Sequence, residues 1–322
     1  MTVRLRTLSN NRTNVRTITM KRFVIHALLN LSWRIAPALA VGLVKKHVFR
    51  PAGYRTSIEE EQFLDTGSKF QIDIHGKTVQ GWKWGEGPSV LFVHGWNGRG
   101  IQFKLFFEPL MEAGYTVIIF DAPAHGDSGG KTSSYFEWTD TIRAVLSSPN
   151  GFNVKGLIGH SLGGSAVINA LSKKNISIPA VLIAPVFRLE EILFNTFRLY
   201  GIPERVYHRA IEEYEHRFGY TLKNANPGKL LQAIDAELLV IHDRQDQAIP
   251  FRDSSETART WPHVMLHVTT GLGHRRILSD RDTVDFATDY MINQIESSKM
   301  PQLGFEDHPR AVRQIGKISA VI

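Results

Sequence analysis

The sequence predicts an α/β fold: a mostly parallel sheet of eight strands, helices on both faces, and a helical insertion after the sixth strand. Three observations carry this. Short β-rich runs at 69–74, 78–84, 89–93, 116–120, 154–158, 180–184, 237–242 and 263–268 alternate with helix-length stretches. Several runs are apolar throughout, such as Val90-Leu91-Phe92-Val93, Val117-Ile118-Ile119-Phe120 and Leu238-Leu239-Val240-Ile241, as parallel strands covered on both faces require. The alternation breaks once, between Pro185 and Leu231, where a long stretch rich in Phe, Leu, Tyr, Arg and Glu replaces a single crossover helix.

Composition sets the outer limits. With 322 residues, 43% hydrophobic and 21% charged, the chain can bury one large core or two small ones. It contains no Cys, which excludes a disulfide framework, a thiolate metal site and a cysteine nucleophile. The net charge of +7 is unevenly spread: ten of the 38 basic residues, and no Asp or Glu, lie in 1–50. The remainder has 28 basic against 31 acidic residues, so the folded body has no basic excess to offer nucleic acid, and no nucleic-acid partner is expected.

Taken in order, residues 1–22 are Arg-, Thr- and Asn-rich without apolar period, a disordered basic leader in which Met20 is an alternative start. Residues 23–68 form an N-terminal amphipathic helical segment. Within it Val24, Leu28, Leu31, Ile35 and Leu39 recur at helical spacing, and Arg34 and Pro37 break the run before it could cross a bilayer, which predicts a kinked helix pair. Lys21-Arg22 before the apolar stretch and Ala38-Leu39-Ala40 after it imitate a secretory signal, and the Arg-rich leader imitates a mitochondrial one. Arg34 inside the apolar stretch argues against secretion, so a cytoplasmic location is expected. Lys21-Arg22 and Lys45-Lys46 flanking an acid-free apolar stripe suggest weak contact of residues 21–50 with anionic membrane surfaces, against the alternative of purely intramolecular packing.

The α/β domain spans 69–296, with the insertion at 186–231, and 297–322 is a loosely docked tail. Gly76 in Ile-His-Gly-Lys marks an antiparallel hairpin between the first two strands. The aromatics of the insertion (Phe187, Phe194, Phe197, Tyr200, Tyr207, Tyr214, Phe218, Tyr220) either roof an apolar pocket or form a small satellite core.

The pentapeptide G-x-S-x-G occurs twice. Ser161, in Gly159-His160-Ser161-Leu162-Gly163, follows a strand and precedes a helix-like run at 165–171. That strand-to-helix elbow exposes a serine in a strained conformation beside the free N–H groups of a helix start. Ser128, in Gly126-Asp127-Ser128-Gly129-Gly130, lies in a loop with no helix behind it. Its string resembles that of the trypsin-like proteases, but those are all-β, and this chain is α/β without Cys.

Over roughly residues 70–295 the chain resembles the α/β-hydrolase superfamily. The matching strings are Leu91-Phe92-Val93-His94-Gly95-Trp96, Phe120-Asp121-Ala122-Pro123-Ala124-His125-Gly126-Asp127-Ser128, Gly159-His160-Ser161-Leu162-Gly163-Gly164, Asp246-Gln247-Ala248-Ile249-Pro250 and Gly273-His274. It is similar to uncharacterised bacterial members that share His-Gly-Trp, Ala-Pro-Ala-His-Gly and Gly-Leu-Gly-His-Arg-Arg. The resemblance implies the α/β-hydrolase fold with a helical cap after strand six, and a catalytic triad of Ser161, Asp246 and His274 in that chain order. Asp243, three residues before Asp246, is the competing acid, in a swapped or shared role. The backbone N–H groups of Leu162 and Trp96 would form the oxyanion hole, and Trp96 and Asn97 would line the acyl pocket or merely plug the loop.

A serine at the elbow implies acyl transfer to water, with a carboxylic ester of a small or medium acyl substrate as the leading expectation. A carbon–carbon bond hydrolase or an acyltransferase with the same triad is the alternative among enzymes, and a non-catalytic binding protein on the same fold is the alternative of another class. Neither a metal nor another cofactor is expected, since no ligand spacing and no dinucleotide fingerprint stand out.

Overall fold

The computed structural model describes residues 22–148, 151–173 and 176–299. The basic leader except Arg22, which opens the first helix, lies outside the described residues, as do Met20 and the tail beyond Lys299.

The chain enters through helix α1 (22–35), breaks at Ala36 and continues as α2 (Pro37–Val48), with Pro37 in the first turn where its missing N–H costs nothing. Helix α3 (Ile58–Asp65) starts on a capping box between Ser57 and Glu60. Strands β1 (Ser68–Ile74) and β2 (Lys77–Trp84) then form the expected hairpin, its two turn residues His75 and Gly76 both at positive φ. The rest alternates: β3 (Ser89–Val93), α4 (Phe107–Glu112), β4 (Thr116–Phe120), α5 (Tyr135–Leu146), β5 (Val154–His160), α6 (Leu162–Leu171) and β6 (Ala180–Ile183). Helices α7 (Leu189–Leu199), α8 (Glu204–Phe218) and α9 (Pro227–Leu230) fill the insertion. The chain closes with β7 (Leu238–Asp243), α10 (Phe251–Thr260), β8 (Val264–Thr269), α11 (Gly273–Arg276) and α12 (Arg281–Lys299). Helix α12 thus runs three residues past the expected domain end.

All eight strands form one sheet in the order β1-β2-β4-β3-β5-β6-β7-β8, with β1, β2 and β4 paired antiparallel and the remainder parallel. The continuous apolar runs now have their reason. Leu91, Val93, Ile118, Phe120, Leu157 and Val240 point into one core, and Val90, Phe92, Val117, Ile119, Ile158 and Leu239 into the other. Each face is covered, so alternate residues of the same strand are equally dry.

The kinked helix pair is present, and Val24, Leu28, Leu31, Ile35 and Leu39, the residues at helical spacing, are exposed. Helix α2 turns Ala40, Val41 and Val44 inward instead, and α1 buries Leu29. Periodicity identifies an apolar face, yet it does not say what the face meets.

Candidate active site

The sheet order places a switch point at its centre. From β3 the chain crosses to β4 on one side, and from β5 to β6 on the other, so the loops beyond their carboxyl ends diverge and leave a crevice. Ser161 sits there, between β5 and α6, with φ 53° and ψ −122°. A non-glycine residue in such a region costs about 1–3 kcal/mol and persists because its surroundings over-determine it. The Ser161 N–H is tied to the Ile183 carbonyl at 2.9 Å. A Cβ on Gly163 would lie 2.3 Å from the carbonyl oxygens of Val93 and His94, so glycine there lets the elbow press against the β3 loop.

The Ser161 Oγ is 3.0 Å from His274 Nε2, and His274 Nδ1 is 2.7 Å from Asp246 Oδ2. Because the carboxylate can only accept, Nδ1 carries the proton, and Nε2 presents its lone pair to the serine hydroxyl. Asp246 is fully enclosed. Its Oδ1 accepts from the N–H groups of Ala248 at 2.8 Å and Ile249 at 2.9 Å. Burial pushes its carboxyl up, but the donors on both oxygens outweigh this and hold it well below the ordinary carboxylate range.

A second imidazole shares Oδ2. His242, wholly buried at the end of β7, places Nε2 3.2 Å from Asp246 Oδ2 and 3.2 Å from the Ile249 carbonyl, while its Nδ1 lies 2.6 Å from Ser254 Oγ. Two acceptors at Nε2 make it the donor, so Nδ1 accepts from the serine. His242 was not among the candidate site residues legible in the sequence. Its signal was a histidine closing an otherwise apolar strand four residues before the carboxylate.

Asp243 does different work. It accepts from the N–H groups of Gln245 (2.9 Å) and Leu272 (3.0 Å) and from Thr269 Oγ1 (2.9 Å), which anchors the loop leading into His274. Ser128 is likewise occupied: its hydroxyl donates to the Asp121 carbonyl and accepts from the Gln80 N–H at 2.8 Å, stitching the β4 loop to β2.

The other histidines of the matching strings are buried braces. His94 lies between the Gly95 carbonyl (2.8 Å) and the Ala122 N–H (2.9 Å), and burial lowers its pKa to about 4. His160 donates to the His274 carbonyl at 2.9 Å. Burial, helped by the neighbouring His274, lowers it to about 3. Burial and the nearby His94 lower His125 to about 3 as well.

Ser161 divides two cavities. One, of about 690 Å³, is lined mainly by polar and charged residues, among them Tyr54, Arg55, Glu60, Lys104, His274 and Arg275, with Trp96 and Asn97 at its wall. The other, of about 230 Å³, is apolar and lined by Trp96, Phe136, Leu162, Val186, Phe197 and Tyr214. Of the insertion's eight aromatics, Phe197 and Tyr214 line this chamber, whereas Tyr220 stacks on Phe136 outside it. The N–H groups of Trp96 and Leu162 make no hydrogen bond among the described residues. No cluster of His, Asp and Glu there could hold a metal ion.

Residues 90–314 match the Alpha/beta hydrolase family. The chain belongs to that family. Among curated relatives, the alpha/beta hydrolase described here is 25% identical over 171 residues to uncharacterized protein YqkD of Bacillus subtilis, covering 50% of this chain and 56% of that one. It is 24% identical over 252 residues to a non-heme haloperoxidase of Rhodococcus erythropolis, covering 63% of this chain and 91% of that protein. The chain spans about half the length of the first of these. Among solved structures, the esterase Pf2001 of Pyrococcus furiosus superimposes with a TM-score of 0.57 at 20% identity, covering 76% of this chain and 99% of that one. Est1E of Butyrivibrio proteoclasticus, solved with ferulic acid, gives 0.56 at 19% identity over 70% and 99%. At these identities the structures show a shared fold.

Proposed function

We propose that this alpha/beta hydrolase is a serine hydrolase that cleaves a carboxylic ester of a small or medium acyl substrate, with Ser161 as nucleophile, His274 as general base and acid, and Asp246 as the orienting carboxylate. The observation that carries it is the hydrogen-bonded line from Ser161 Oγ through the His274 ring to Asp246, at 3.0 and 2.7 Å, ending at the mouth of an apolar chamber.

In the proposed reaction the Ser161 proton passes to His274 Nε2 as Oγ attacks the ester carbonyl carbon. The tetrahedral oxyanion is held by the N–H groups of Leu162 and Trp96, at the positive end of α6. Collapse breaks the carbon–oxygen bond to the alcohol, which takes the proton from Nε2 and leaves. Water then gives a proton to Nε2 and attacks the acyl-enzyme, and the returning proton frees Ser161. Throughout, Asp246 stays ionised and stabilises the imidazolium. The acyl chain belongs in the apolar chamber, under α7 and α8 acting as a cap, and the alcohol in the polar cleft.

An aryl-ester panel of increasing acyl length, run beside fluorophosphonate labelling, tests this. Wild type should turn over and label, Ser161→Ala should do neither at unchanged thermal stability, and Ser128→Ala should do both. A labelled, active Ser161→Ala protein refutes the assignment.

A further inference from the structure

Helices α1 and α2 are held to the domain along one narrow side. Helix α1 touches the α7–α8 turn through His26, whose Nδ1 is 3.1 Å from the Gly201 carbonyl, through buried Leu29, and through Asn30 and Trp33 against Arg205. Helix α2 seats Ala40, Val41 and Val44, and its Lys45 pairs with Glu213 of α8 at 2.8 Å. The apolar face is left outside. Phe23 (71% exposed), Leu28, Leu31, Ile35 (76%) and Leu39 face outward, and so do Leu199 (70%) and Tyr200 at the end of α7. An apolar patch of this extent on a folded surface marks a docking face.

Charge indicates what it meets. Residues 22–50 and 197–203 contain no Asp or Glu, the next acid after the second stretch being Glu204 beside His208, while Arg22, Arg34, Lys46, Arg50 and Arg198 are exposed. Among the described basic residues of 22–50, Lys45 is the one in an ion pair with a carboxylate. An apolar face bordered by unpaired cations and empty of acids complements an anionic lipid surface better than a protein surface of mixed charge. Helix α2 has 12 residues, and no described helix is long and apolar enough to cross a membrane, so contact would be in the interface plane.

The face also leads inward. A groove of about 570 Å³ lies between Ile25, Leu28, Leu43 and Tyr200, and its inner end is Val48 and Trp96. The same two residues line the apolar chamber at Ser161. We infer that α1, α2 and the end of α7 dock the protein on an anionic membrane surface, and that the groove between them admits an ester of medium acyl length from that surface past Trp96 and Val48 to Ser161. The second half rests on the proposed hydrolase reading; the first does not.

The test therefore uses the Ser161→Ala protein, full length, sedimented with phosphatidylglycerol-containing or pure phosphatidylcholine vesicles. It should pellet with the anionic vesicles at low salt, about ten-fold less at high salt and little with the neutral ones. Leu31→Asp/Ile35→Asp, both at exposed positions and checked for an unchanged Tm, should abolish pelleting. Negligible pelleting everywhere overturns the inference, as does undiminished pelleting of the double variant. A dimer that the double variant dissociates, without vesicle binding, assigns the face to a second copy and overturns it too. With Ser161 intact, hydrolysis of a medium-chain ester presented in anionic vesicles should fall by about five-fold or more in the double variant. Pelleting without hydrolysis of any ester would refute the hydrolase reading and leave the docking face standing.

Discussion

Asp246 has room for about four hydrogen bonds and uses all of them: two backbone N–H groups on Oδ1, two imidazoles on Oδ2. The carboxylate therefore cannot rotate away from His274 without abandoning the other three donors. His242 is the part of this clamp that can be changed without touching His274. His242→Gln should lower kcat by about ten-fold with KM nearly unchanged, because an orienting group matters most where charge develops on the imidazole. Asp246→Asn removes the charge and offers a donor where Nδ1–H needs an acceptor, so it should cost about a thousand-fold or more. Asp243→Asn loosens the Leu272 and Thr269 anchors and should lower Tm more than kcat. Steady-state kinetics and melting on the three variants check the ranking; a larger kcat loss for Asp243→Asn would move the acid role to that residue.

At the scale of elements, the turn from β5 to α6 is fixed by contact between backbones. Gly163→Ala would drive a methyl to within 2.3 Å of two carbonyl oxygens on the β3 loop, and neither can yield without moving β3. It should destabilise the protein by about 2–3 kcal/mol. Gly42 in α2 is the contrast, since a Cβ there would meet nothing within 4 Å. Gly42→Ala should stabilise by about 0.5–1 kcal/mol through helix propensity and a less mobile unfolded chain. Urea titration of both variants decides the matter, and effects of the same sign would contradict the geometry.

Across the whole molecule, three buried histidines make the fold sensitive to mild acid. His94, His125 and His160 are lowered by burial to about 4, about 3 and about 3, so they stay neutral in the folded protein while the unfolded chain protonates near pH 6.5. Below that pH the unfolded state binds more protons, and stability falls. Between pH 7.5 and 5.5 each should remove about 1.4 kcal/mol, about 4 kcal/mol together. The depressed carboxylate of Asp246 acts in the same direction in a lower window, losing its stabilising contribution as pH falls below about 4. Chemical-denaturation midpoints across pH 4–8 should show the first loss near pH 6.5; a flat profile down to pH 5 would mean that these rings titrate in place.

What the sequence by itself determined was everything written in local chemistry and chain order. Unbroken apolar runs specify strands dry on both faces, His75-Gly76 specifies a hairpin, and G-x-S-x-G between a strand and a helix pattern marks an elbow. Ser161, Asp246 and His274 were named through the resemblance carried by the strings around them, and folding brings the three side chains within hydrogen-bond distance. Three matters were left to the tertiary structure. Asp243 and Asp246 are alike in sequence, and their different tasks follow from which loop each faces across a sheet whose partners are distant in the chain. His242 reads as one more residue of a buried strand until folding brings Ser254 and Asp246 to its two nitrogens. The stripe at 24–39 leaves membrane contact and intramolecular packing both open, because periodicity records only that side chains are apolar. Whether they meet protein or the outside depends on which side of the helix finds a complementary surface, and α8 accepts Ala40, Val41 and Val44 instead.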